Sequence, residues 1–285
     1  MCRFALYLGR ELSVSMLITQ PANSIIHQSY QSHDRAEPLN GDGFGLAWYP
    51  SRSDDPALFR STTPAWSNRN LRELARVTKT HCALAHVRAA SPGLPVTELN
   101  CHPFKHDRLT FMHNGDLGGF DALRRRLLDS LSDEAFSMIE GTTDSEHLFA
   151  VFLDELRRRD AAEDETARLA GALEATIVRA EALRREVAPD ACSYLNLVVC
   201  DGERAAVTRY ATGKTRPTSL HFSKGRVYVC ERGLCHMVGE GEAHTAVLIA
   251  SEPLEDNEVW QTVEPHHMVV VTPALEVTTR PLALA

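Results

Sequence analysis

The chain has 285 residues, 44% apolar and 24% charged, a length and mix able to bury a substantial core in one large domain or two small ones. A net charge of −8 and a pI near 5.9 exclude nucleic-acid backbones and anionic membranes as main partners. No apolar run approaches the roughly 18 residues of a membrane-spanning helix. The N-terminal Phe4-Ala5-Leu6-Tyr7-Leu8 is too short for a secretory signal. Seven scattered cysteines, an odd count, fit reduced thiols in a cytoplasmic protein better than a disulfide framework.

Residues 2–8 read as a buried strand. A polar segment follows, ending in Asn40-Gly41-Asp42-Gly43, and residues 44–49 form the next apolar run. Residues 81–88 and 109–113 predict two further strands. The Ser91-Pro92-Gly93-Leu94-Pro95 loop between them cannot join a sheet interior. Three helices are expected at about 120–131, 144–159 and 165–187, the last rich in Ala, Leu and Arg. From Tyr194 the texture returns to strands: 194–201, 206–210, 226–230, 246–251 and 268–272. Strands, then helices, then strands, without βαβ alternation, predict an α+β fold of two antiparallel sheets with helices outside, as a single domain over residues 1–285.

Cys2 directly follows the initiator methionine. Once Met1 is removed, one residue carries both a thiol nucleophile and an α-amine, whose ordinary pKa is about 7.7–8.0. Such a residue can serve as nucleophile and general base together. It can equally be a small apolar residue that opens a strand.

Four further pieces each allow two readings. Arg88 ends a strand, either as a surface charge or as a bidentate grip on a carboxylate. Asn114-Gly115 follows the run LTFMH, either as a hairpin turn or as the amide and backbone donors of an oxyanion hole. Asp144 follows Thr143, which with Glu146 spells a capping box; its carboxylate suits the helix start, or a substrate ammonium. Cys101, His102, His106, Cys230, Cys235 and His236 invite a zinc reading. Their spacings match no common site, and Pro103 prevents a helix from aligning His102 with His106, so neither metal nor cofactor is expected.

Together these pieces resemble the glutaminase domain of class II glutamine amidotransferases, which are N-terminal-nucleophile hydrolases. The resemblance runs through Met1-Cys2, Asn40-Gly41-Asp42-Gly43-Phe44-Gly45, Ala85-His86-Val87-Arg88, Asn100-Cys101-His102-Pro103, His113-Asn114-Gly115, Thr143-Asp144-Ser145-Glu146 and Ala250-Ser251-Glu252-Pro253-Leu254. It implies a four-layer αββα sandwich with Cys2 as nucleophile. It also implies Asn114 and Gly115 as the oxyanion hole, Arg88 on the substrate α-carboxylate, Asp144 on the α-ammonium, and Ser91 in a loop that folds over the substrate.

Synthase-linked members carry Trp-Ala-Thr-His after the binding arginine, where this chain has Ala89-Ala90-Ser91-Pro92, and no second catalytic domain follows before Ala285. The implied activity is hydrolysis of a small-molecule γ-glutamyl amide larger than glutamine. Two standalone branches fit: an ergothioneine-pathway γ-glutamyl amidohydrolase, and the amidotransferase-like subunit of a fungal glutathione-degrading complex with a peptidase-like partner. The alternatives are a glutaminase subunit that supplies ammonia to a separate synthase, and a catalytically idle partner-binding subunit.

Overall fold

The computed structural model describes residues 2–32, 39–90, 93, 95–231, 234–239, 245–255 and 259–284. Two antiparallel sheets stack face to face. The first runs from edge to edge as Gln261–Thr262, His221–Gly225, Ala246–Ala250, Arg3–Ser13, Lys79–Val87, Phe44–Trp48 and Ala57–Ser61. The second runs Val277–Pro281, His267–Val271, Ala205–Arg209, Tyr194–Cys200, Leu109–Asp116 and Phe104–His106.

Side-chain alternation along the strands builds the layers. Phe4, Leu6 and Leu8 point between the sheets, into one cluster with Met112, Val198 and Val207. Ala5 and Tyr7 point the other way, into a cluster with Leu17, Ile25, Ile26 and Leu71. Those residues come from helices Ser15–Ile18, Ile25–Gln28 and Arg69–Val77. On the far side Phe111, Leu195 and Leu197 pack with Phe149, Phe152, Leu173 and Ile177. They meet helices Phe120–Asp129, Asp144–Arg158 and Glu165–Val187. Both sheets are covered on both faces, which explains why their strands read as near-continuous apolar runs. The expected αββα order is found.

The first strand continues to Ser13, past the Gly9-Arg10-Glu11 that reads as its end, because a register shift between Leu8 and Leu12 takes up the polar residues. Helix Arg69–Val77 escapes the apolar pattern because only Leu71 and Ala75 are buried; its one clear signal is Asn68, whose side chain accepts from Leu71 N–H. The capping box at Thr143 is half made. Thr143 Oγ1 accepts from Glu146 N–H, but the Glu146 carboxylate turns to the N–H groups of Glu140 and Gly141.

The cysteines require a correction. Cys230 and Cys235 face each other across the hairpin of Val227–Glu231 and Leu234–Val238 and form a disulfide. The other five cysteines are free, four of them buried. Scattered spacing could not reveal the pairing, because it depends on the register of Val227–Glu231 against Leu234–Val238, which sets Cys230 opposite Cys235. No helix among the described residues is long and apolar enough to cross a membrane.

Candidate active site

The site lies where the first strand begins. Arg3 pairs with Val87, and continuing that antiparallel register sets Cys2 beside Arg88. Cys2 is buried, with its Sγ 3.7 Å from Ala89 O. Burial pushes the thiol pKa up, and the nearby Arg88 and Arg3 cations act against burial. A buried neutral thiol needs a base before it can attack.

Arg88 is held through its backbone and left open at its tip. Arg88 N–H donates to Gly43 O at 2.8 Å, Asp42 N–H donates to Arg88 O at 3.0 Å, and Ala90 N–H donates to the Asp42 carboxylate at 2.8 Å. Arg88 as a whole is only 3% exposed. It reaches the Asp42 carbonyl at 3.4 Å and, among the described residues, forms no ion pair. The imidazoles near it give no compensation. His86 and His102 are stacked 4.2 Å apart and fully buried, and burial pushes His86 down to about 3 and His102 well below its ordinary value. A desolvated cation with no ion pair among the described residues can take an anion.

Asn114 and Gly115 come from the opposite sheet. They do not form a hairpin turn; both lie inside strand Leu109–Asp116, opposite Asn196 and Leu195. Asn114 shares the inter-sheet face with Met112, two residues earlier, and so looks toward the Cys2 sheet. Its Nδ2 is 3.1 Å from Ser251 Oγ, while its buried Oδ1 has no hydrogen-bond partner among the described residues. Gly115 has φ 149°, and a Cβ there would stand 1.8 Å from Tyr194 O. Only glycine fits. The same Tyr194 carbonyl takes His113 Nε2 at 2.8 Å, and His113 Nδ1 meets Ser145 Oγ at 3.0 Å. This anchors the strand to the start of helix Asp144–Arg158.

Asp144 opens that helix. One of its oxygens accepts from Leu117 N–H at 2.7 Å and the other from Ser145 N–H at 2.8 Å. Asp116, on the Asn114 face, was not singled out by its sequence. Burial, and then the neighbouring Asp144, raise its pKa, and among the described residues its carboxylate makes no hydrogen bond or ion pair. The only local signal was an acid directly after Asn-Gly. Ser91, Pro92 and Leu94 lie outside the described residues, so both Ser91 and the expected closing loop go undescribed.

Two further contacts complete the surroundings of Cys2. Arg3 ion-pairs with Glu252 and donates to Ser32 Oγ and, at 2.9 Å, to Cys2 O. Cys101, once a zinc candidate, points its thiol at Thr97 O and Ser61 O, at 3.4 and 3.6 Å. Among the described residues no three His, Cys, Asp or Glu side chains gather as a metal-binding group. The arrangement offers a thiol, an open guanidinium, an amide with a backbone N–H beside it, and two carboxylates.

Comparison with known proteins agrees in kind. The model of the class-II glutamine amidotransferases matches residues 14–281. The probable glutamine amidotransferase DUG3 of Saccharomyces cerevisiae is 39% identical over 293 residues, covering 95% of this chain and 82% of the yeast protein. A gamma-glutamyl-hercynylcysteine sulfoxide hydrolase of Mycobacterium tuberculosis is 27% identical over 273 residues, covering 95% and 93%. A solved glutamine aminotransferase class-II domain protein from Silicibacter pomeroyi superimposes with a TM-score of 0.68 at 28% identity, covering 99% of this chain and all of that one. The chain belongs to the class-II glutamine amidotransferase family.

Proposed function

We propose that the protein hydrolyses a γ-glutamyl amide through Cys2, after Met1 has been removed. The observation that carries this reading is Arg88, a buried guanidinium with no ion pair among the described residues, set beside Cys2 by strand register. The α-carboxylate of a glutamyl group neutralises it with two parallel hydrogen bonds. Asp144 and Asp116 face the α-ammonium, with Asp116 the freer of the two. Arg88 and the acids together hold the amino-acid end and orient the γ-carbonyl toward the thiol.

The Cys2 α-amine takes the thiol proton as Sγ attacks the γ-carbonyl carbon. The tetrahedral oxyanion rests on the Asn114 amide and Gly115 N–H. The C–N bond then breaks and the amine leaves with that proton. Water adds to the thioester, the C–S bond breaks, and glutamate is released with the thiol restored.

The groups assigned here read only the free end of the glutamyl unit. The leaving amine lies outside them, beside the small Ala89 and Ala90. The named activity of the mycobacterial relative is removal of a γ-glutamyl group from a larger conjugate, and it supports a substrate larger than glutamine here. The leaving group also decides the kind of partner, a synthase for ammonia or a peptidase for a released dipeptide.

Intact mass before and after treatment with a glutamine-like electrophile tests the reading, together with glutamate release from glutamine, glutathione and larger γ-glutamyl amides. Loss of Met1, one adduct at Cys2 and release favouring the larger amides are expected. Retained Met1 with no adduct would overturn it.

A further inference from the structure

Ser251 follows strand Ala246–Ala250 and is fully buried. Its N–H donates to Phe4 O at 3.0 Å, and its Oγ accepts from Phe4 N–H at 3.1 Å. Two bonds therefore hold the residue two places after Cys2. The same Oγ stands 3.1 Å from Asn114 Nδ2, across the gap between the sheets. In this arrangement the hydroxyl oxygen faces two N–H donors, and the buried Asn114 Oδ1 has no donor among the described residues. Buried polar atoms without partners are rare.

A half-turn of the Asn114 amide resolves the mismatch without a change in volume, since the two ends of the amide are nearly the same size. Ser251 O–H then donates to Oδ1, and its oxygen still accepts from Phe4 N–H. Asn114 Nδ2 is turned to the side where Oδ1 had no partner. A hydroxyl can do this because it is donor and acceptor at once. Alanine can do neither, and threonine can do both.

We propose that Ser251 is the positioning residue of the oxyanion hole. By donating to Asn114 Oδ1 it aims Nδ2 at the oxygen of the reacting γ-carbonyl. By accepting from Phe4 N–H it ties that donor to the strand that carries the nucleophile. The two sheets supply the two halves of the reaction, and Ser251 sets the distance between them. This inference rests on the γ-glutamyl hydrolase reading above.

The test compares Ser251→Ala and Ser251→Thr with the natural chain by two readouts. One is kcat and KM for glutamate release from the best γ-glutamyl amide. The other is the rate of Cys2 alkylation by iodoacetamide, a displacement at saturated carbon that forms no oxyanion. For Ser251→Ala, kcat should fall about 10- to 100-fold, less than deleting a donor outright. Its KM and alkylation rate should stay within about threefold, because Gly115 still donates and the grip on the amino-acid end is intact. Ser251→Thr should recover most of the lost kcat. Should Ser251→Ala not fold, Ser251→Cys, with its weak S–H donor, should show the same split.

A full kcat in Ser251→Ala would overturn the inference while leaving the function intact. So would equal losses in turnover and alkylation, which would mean that Ser251 merely holds the strand. If the natural chain is alkylated at Cys2 yet releases no glutamate from any γ-glutamyl amide, the hydrolase reading itself fails and takes this inference with it.

Discussion

Arg3 and Arg88 lie on neighbouring strands at the same end of one sheet, both almost fully buried, and their charges are met in opposite ways. Arg3 meets the Glu252 carboxylate, the Ser32 hydroxyl and the Cys2 carbonyl, all from its own chain. Arg88 meets the Asp42 carbonyl and, among the described residues, no carboxylate. Removing a guanidinium from water is costly unless a counter-charge and hydrogen bonds replace the hydration. At Arg3 folding supplies them. At Arg88 folding supplies none among the described residues, which is what the proposed binding of a substrate carboxylate requires. The first arginine should therefore belong to stability and the second to binding.

The largest effect that could break this contrast is on folding. Arg3→Met removes the guanidinium facing the buried Glu252 carboxylate, which keeps the Ser32 hydroxyl but loses this counter-charge, and should cost about 3–5 kcal/mol in urea unfolding, whereas Arg3→Met with Glu252→Met should recover most of that loss. If Arg3→Met were as stable as the natural chain, the pair would not carry the role given to it.

Arg88→Met sharpens the contrast from the other side. Its unfolding free energy should be unchanged or higher, while kcat/KM for a γ-glutamyl amide falls by about 1.5–3 kcal/mol. A comparable loss of stability in both single variants would erase the distinction between them.

A smaller effect should appear with the product. Glutamate at ten times its Kd should raise unfolding stability by about 1.4 kcal/mol. The gain should vanish in Arg88→Met and persist in the Arg3→Met, Glu252→Met double variant.

The smallest is a pH effect. Burial raises the Cys2 pKa and the cations lower it, so the alkylation rate should climb with pH around a midpoint above that of an ordinary thiol. Removing a positive charge destabilises the thiolate, so each arginine variant should move the midpoint higher still. Arg88→Met should move it further than Arg3→Met, because Arg88 exerts the stronger pull. A downward shift in either variant would contradict the geometry.

Much of the fold was legible because the chain's apolar runs belong to strands buried on both faces, and an apolar run bounded by turn residues is visible without knowing its partner. The polar helix Arg69–Val77 and the edge strands Ala57–Ser61 and Val277–Pro281 were not, since little of their surface is buried. The candidate site divides along the same line. Cys2, Arg88, Asn114-Gly115 and Asp144 stand out by residue type and local pattern, although the pattern around Asn114-Gly115 also spelled a turn that the strand excludes. Asp116 did not stand out, and Ser251 and Glu252 entered only as part of the resembling stretch Ala250-Ser251-Glu252-Pro253-Leu254, with no role attached to either and no link to Arg3. The partner of Arg3 is 249 residues away, and nothing in either neighbourhood names the other.

The amino-acid sequence alone determined the chemical inventory: a cysteine at position 2, an arginine ending a strand, an amide followed by the one residue without a side chain, and an acid at a helix start. Those are properties of single residues and of short-range backbone preference. Only the tertiary structure decided which charge is satisfied and which is left open. Whether Arg3 and Arg88 are neutralised depends on side chains brought from distant strands into a space without water, where an unmatched charge matters far more than it does in solution.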